Sequence, residues 1–201
     1  MKKLFVLVVF FAGFITSGFT YKSQSDVVKD YLGVPGPITY DNVQYVLSAS
    51  YHPSDAYYKQ EYVPAGENID RYNKMVFIDA YITDMTPKDV VSKKIAELEE
   101  RKKTDPVVQY RVIQNDETGE YLLDFVLSDA NGDKISVAEW NGYIYKSFTS
   151  STGKKGVLIF ALSVRGYDDH IKDFLTNLKT DKGYYIKAIT SYKVPKTIFE
   201  K

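Results

Sequence analysis

The chain has 201 residues, 26 basic and 26 acidic side chains, no cysteine, two histidines and 44% apolar residues, including 18 tyrosines and 11 phenylalanines. That apolar share excludes a disordered chain, seven prolines and twelve glycines exclude a collagen-like or low-complexity one, and the length fits one domain. Zero formal charge with only four arginines gives no field for holding nucleic acid, and the lack of cysteine excludes a disulfide scaffold, a thiol nucleophile, an iron–sulfur cluster and a cysteine zinc site.

Residues 1–20 read as a secretory signal peptide. Met1-Lys2-Lys3 is a basic start, Leu4 to Ile15 is an uncharged apolar run, and Thr16, Ser17 and Gly18 are small enough for a signal peptidase. The run is shorter than the roughly 20 residues that span a bilayer, so cleavage after Gly18 or Thr20 leaves no membrane span. Loss of Lys2 and Lys3 leaves 24 basic against 26 acidic groups, a net charge of −2. A lysine-rich, cysteine-free exported chain points to the bacterial periplasm.

Residues 21–37 form a lead-in whose GVPGP run prevents regular structure, and residues 38–201 form a single domain. From Ile38 to Tyr51 the residues alternate, with Tyr45, Leu47, Ala49 and Tyr51 on one side of a predicted strand. Residues 74–83 form a second, with Val76, Ile78, Ala80 and Ile82 facing one way and Phe77, Asp79 and Tyr81 the other. A helix begins at Thr86 as N-cap, with Pro87 in its first position, Asp89 three residues past the cap and a stripe of Val91, Ile95 and Leu98. Strands follow over 107–114, 120–128, 134–149 and 156–164, the middle pair joined by Asn131-Gly132, whose residues suit a type I′ turn. A last helix starts near Asp168, carries Ile171, Phe174, Leu175 and Leu178, and is expected to stop at Gly183, while 184–194 fits both periods. The order reads as the α+β class, an antiparallel meander of about six strands with two amphipathic helices packed on one face.

This element order resembles the PsbP-like group of small exported domains, which implies action by binding a partner. The segments YKQEYVPAGE (58–67) and RYNKM (71–75) resemble a family of uncharacterised secreted bacterial proteins, which implies no particular activity and assigns no residue a role.

Motifs for chemistry are few. His52 and His170 stand apart in sequence, and Asp168-Asp169 suits the start of a helix. DANGD at 129–133 imitates a calcium loop, but its glycine falls at the fourth position instead of the sixth and Trp140 stands where a glutamate should be. TGKKG at 152–156 precedes a strand, where a phosphate loop would precede a helix. No pattern calls for a metal or cofactor.

What stands out is the segment 51–72, read as an irregular connection. Tyr51, His52, Tyr57, Tyr58, Gln60, Glu61, Tyr62, Glu67 and Tyr72 are its candidate ligand-binding residues, because phenolic rings join apolar area to a polar end at low entropic cost. The reading is therefore a non-catalytic binding domain for a protein or small ligand, with no catalytic residue. Two alternatives stand beside it: a hydrolase using carboxylates such as Glu61, Glu67 or Asp70, and an envelope assembly subunit with an exposed apolar patch.

Overall fold

A computed structural model describes residues 28–132, 134–150 and 153–199, so the signal-peptide reading of 1–20 and the first part of the lead-in lie outside the described residues. One sheet of eight antiparallel strands organises the molecule. In chain order these are β1 (Ile38–Tyr40), β2 (Val43–Ser54), β3 (Tyr57–Pro64), β4 (Lys74–Ile82), β5 (Gln109–Gln114), β6 (Tyr121–Asn131), β7 (Lys134–Thr149) and β8 (Lys155–Tyr167). Helix α1 (Pro87–Arg101) lies between β4 and β5, and α2 (Ile171–Ser191) follows β8 after a single 3₁₀ turn at Asp168–His170. In space the strands run β1-β2-β3-β4-β8-β7-β6-β5: two four-strand meanders meeting at β4 and β8, with α1 carrying the chain from the sheet centre to its far edge.

This corrects the α+β expectation. The described residues are mostly β, 47% strand against 23% helix. The meander is present, but two of its strands are not separable by period alone. Asp41 and Asn42 both adopt positive φ (52° and 60°), so the alternating run from Ile38 is a hairpin of β1 and β2 and not one strand. β3 is hidden inside the tyrosine-rich segment, where its lysine, glutamine and glutamate imitate a loop. The sheet pairs it on both sides, with β2 and with β4.

The helices lie on opposite faces of the sheet, which corrects the one-face expectation. α1 is started by a full capping box: the Thr86 hydroxyl accepts from the Asp89 amide at 3.2 Å and the Asp89 carboxylate accepts from the Thr86 amide at 2.8 Å. It packs Val91 and Leu98 onto Leu123, Phe125 and Ile159. α2 does not stop at Gly183 but runs to Ser191. A glycine inside a helix costs only about 1 kcal/mol, and the apolar stripe continues past it through Tyr185, Ile186 and Ile189 to cover Trp140, Ile144 and Phe160. Two cores result, one on each face, and the long apolar strand β8 supplies alternate residues to both, Leu158, Phe160 and Leu162 to one and Val157, Ile159 and Ala161 to the other.

Candidate functional site

β3 divides its residues between these faces by parity. Tyr58, Gln60 and Tyr62 point toward α2, and all three are buried. The Gln60 side chain makes four hydrogen bonds: its Oε1 accepts from the amides of Tyr31 (3.0 Å) and Leu32 (2.7 Å), and its Nε2 donates to the Val34 carbonyl (3.2 Å) and the Tyr62 hydroxyl (2.8 Å). That hydroxyl in turn donates to the Val34 carbonyl at 2.7 Å. These side chains fasten residues 31–34 to the sheet and have no capacity left for a ligand. His52 belongs with them: its ring stacks on Tyr58 at 4.0 Å, and its Nδ1 lies 3.1 Å from the Tyr57 carbonyl oxygen.

Tyr57, Lys59 and Glu61 take the other face, the α1 side. α1 rests over β6 and β7 and stands to one side of β3 and β4, so a groove opens beside the helix. Tyr51 reaches it through a bulge. Leu47 pairs with Tyr62 but Ala49 pairs with Glu61, so Ser48 is the extra residue, and everything after it changes face. This corrects the expectation that Tyr45, Leu47, Ala49 and Tyr51 share one side. Tyr51 now stands opposite Lys59, and 45% of it is exposed.

The groove has two compartments that share Lys59, Phe77 and Tyr143. The upper, about 470 Å³, lies between Tyr57, Asp79, Tyr81 and Tyr145 of the sheet and Lys94 and Glu97 of α1. The lower, about 230 Å³, is lined by Tyr51, Glu61, Asp70, Tyr72, Glu139 and Arg165. In the lower part the central charged pair is engaged. Glu139 accepts from Tyr72 (2.8 Å), from Asn141 (2.8 Å) and from the Arg165 Nε, while the Arg165 guanidinium covers the Tyr72 ring at 4.0 Å. Saturation of that kind makes a strut.

The upper compartment differs in one residue. Asp79 is 7% exposed, and its Oδ1 has no hydrogen-bond partner among the described residues. Burial pushes its carboxyl up to about 7; Lys59 opposes that shift and Glu61 adds to it. Lys59 stands directly across the ladder from Asp79, yet its ammonium lies 2.8 Å from Glu61 and 4.9 Å over the Phe77 ring. Tyr57 lines the same cavity as the Asp79 carboxyl, and its ring stacks on Tyr81 at 4.7 Å. Burial also raises the Tyr81 hydroxyl, to about 12, so at neutral pH the rings are neutral donors. The site can therefore offer stacking faces, phenolic donors and one unsatisfied carboxyl oxygen to something small.

Of the nine residues proposed from sequence, Tyr51, Tyr57, Glu61 and Tyr72 line the groove. Tyr58, Gln60, Tyr62 and His52 lie on the opposite face, and Glu67 is a loop brace that accepts from the Asn73 amide at 2.8 Å. Sequence reasoning misses Asp79 as a site residue, although it is the only charged residue between Met75 and Ile82 in an otherwise apolar strand. Among the described residues no three His, Asp or Glu side chains converge as a metal site requires, and no helix is long and apolar enough to cross a membrane.

Fold and groove together define a mostly-β, single-sheet domain with a ligand-sized cleft beside its first helix. Residues 32–194 match an uncharacterised bacterial family, and the chain belongs to it. No curated protein and no solved structure matches the chain, and nothing supports the PsbP-like likeness.

Proposed function

We propose that this is an exported, periplasmic binding domain that takes a small polar ligand into the groove beside α1 without transforming it. The observation that carries the reading is Asp79: a buried carboxyl with a free oxygen at the floor of a tyrosine-lined cavity. Buried polar groups are normally paired, and an unpaired one costs stability that neighbouring core residues do not recover. A ligand hydroxyl or amino group supplies the missing partner, and the stacked Tyr57–Tyr81 pair supplies an apolar wall for a ring or chain. The leader read in residues 1–20 supports export.

Thermal-shift titration with panels of mono- and disaccharides, amino acids and short peptides tests the reading. One class should raise the melting temperature of the wild type, and Asp79→Asn should abolish that rise. If no class has an effect, or if Asp79→Asn keeps it, the groove is not the site.

One observation favours a second reading. A carboxyl poised near 7 sharing a groove with Glu61 and Asp70 meets the first demand of acid–base hydrolysis. Release of nitrophenol from nitrophenyl glycosides or esters, lost in Asp79→Asn, would move the protein from binder to hydrolase.

A further inference from the structure

The two edges of the sheet are unequal. β1 is three residues long, too short to template another strand. β5 runs for six residues, Gln109–Gln114, in unbroken register with β6, and five of the six are exposed. It has no proline, lysine or bulge to blunt it, and its one charged side chain, Arg111, is paired with Asp124 of β6. Val112 and Ile113 are 41% and 43% exposed, and no strand pairs with its outer side among the described residues.

The α2-side surface of this edge is shaped. Gln109, Arg111 and Ile113 stand in a row there, opposite Val126, Asp124 and Leu122 of β6. A cavity of about 370 Å³ opens between β5, β6 and α2 at the Gln109 end, walled by Leu175 and Leu178. A second, about 600 Å³, opens at the Ile113 end over Leu122 and Ile144. Between them Asp124, 2% exposed, receives both Arg111 (2.9 Å) and Lys182 (3.2 Å), so two cations share one carboxylate and one positive charge is left over. Residues two apart on a strand face are roughly 7 Å apart, so the two cavities correspond to positions i and i+4 of a strand, with the surplus charge at i+2. β6 already answers that row with apolar, acidic and apolar side chains. The free side of β5 presents the same row to whatever pairs with it next.

We propose that β5 and its two flanking cavities are a docking site for an extended segment of a protein partner, of pattern apolar-x-acidic-x-apolar, which adds as a ninth strand. The ladder supplies backbone hydrogen bonds, the cavities take the two apolar side chains, and the central carboxylate neutralises the charge left over at Arg111 and Lys182. This site is at the β5 edge of the sheet and on the face opposite the groove, and it does not depend on what the groove binds.

Fluorescence anisotropy of the full chain with a labelled peptide KTLTDTLTK tests it, against KTLTKTLTK and KTTTDTTTK. The first should bind, and each control should bind at least about tenfold more weakly. Arg111→Gln should erase the preference for aspartate over lysine while leaving the leucine requirement. If that variant fails to fold, Lys182→Gln, on the helix surface, should reduce the same preference. Nuclear magnetic resonance shifts on binding should map to the amides of 109–114. Equal binding of all three peptides, no binding, or shifts elsewhere would overturn the proposal. So would a concentration-dependent dimer through β5 that excludes the peptide, which would assign the edge to a second copy.

Discussion

The two sides of β3 are built from the same kinds of residue and have different consequences. Toward α2, two tyrosines and a glutamine are buried with every polar atom of Gln60 matched, and the result is a fixed attachment for residues 31–34. Toward α1, a tyrosine, a lysine and a glutamate border a space in which Asp79 keeps an oxygen unmatched. Tyrosine density alone does not mark a site; what distinguishes the faces is whether the polar groups between the rings are satisfied.

The largest expected effect comes from Asp79. Its folded-state pKa, about 7, lies above the ordinary carboxylate value, so the folded state holds a proton that the unfolded state releases. The Asp79 contribution is therefore full below about pH 4, falls as the pH rises toward 7, and levels off above that, the cost at pH 8 being on the order of 4 kcal/mol. Asp79→Asn removes the titration. It should make the protein more stable than the wild type at pH 8 by up to that amount and erase the slope between about pH 4 and 7 in urea unfolding.

On the other face, Gln60→Ala strands the Tyr31 amide, leaves the Leu32 amide and the Val34 carbonyl with one partner each (Asp30 and Tyr62), opens a cavity, and should cost about 3 kcal/mol by denaturant titration. Tyr62→Phe removes one bond to the Val34 carbonyl and one acceptor for Gln60, and should cost about 1 kcal/mol. The smallest change belongs to the groove: Tyr57→Phe should alter stability at about pH 5 by less than about 1 kcal/mol. Because the Tyr57 hydroxyl favours the Asp79 carboxylate, its loss should move the Asp79 midpoint upward. If Tyr57→Phe unfolds the chain, or Gln60→Ala leaves it intact, the contrast between the faces is wrong.

Several of these elements are legible in the amino-acid sequence itself. The Thr86-Pro87-Asp89 start of α1, the split of Phe77, Asp79 and Tyr81 from Val76, Ile78 and Ala80, and the length of β7 all follow from local chemistry and period. The remainder depends on partners far away along the chain. Gln60 reads as a surface residue until residues 31–34 bring it their amides and a carbonyl. Ser48 gives no sign of being a bulge, because only the pairing with β3 defines one, and that single residue decides which face Tyr51 joins. Asp41-Asn42 reverses the chain without the glycine that usually announces such a turn. Gly183 reads as a stop because the stripe beyond it has meaning only against Trp140 and Phe160. Period alone gives Asp79 its correct face but not its burial, since the side of α1 that leaves the groove open is a tertiary fact.

The most direct test is to follow the Asp79 side-chain carboxyl carbon by nuclear magnetic resonance from about pH 3 to about pH 9 in the wild-type protein without added ligand. A midpoint close to 7 is expected if the carboxyl lies dry and unmatched on the cavity floor; a midpoint near 4 would mean that it is hydrated or paired, and the groove would lose the feature that sets it apart.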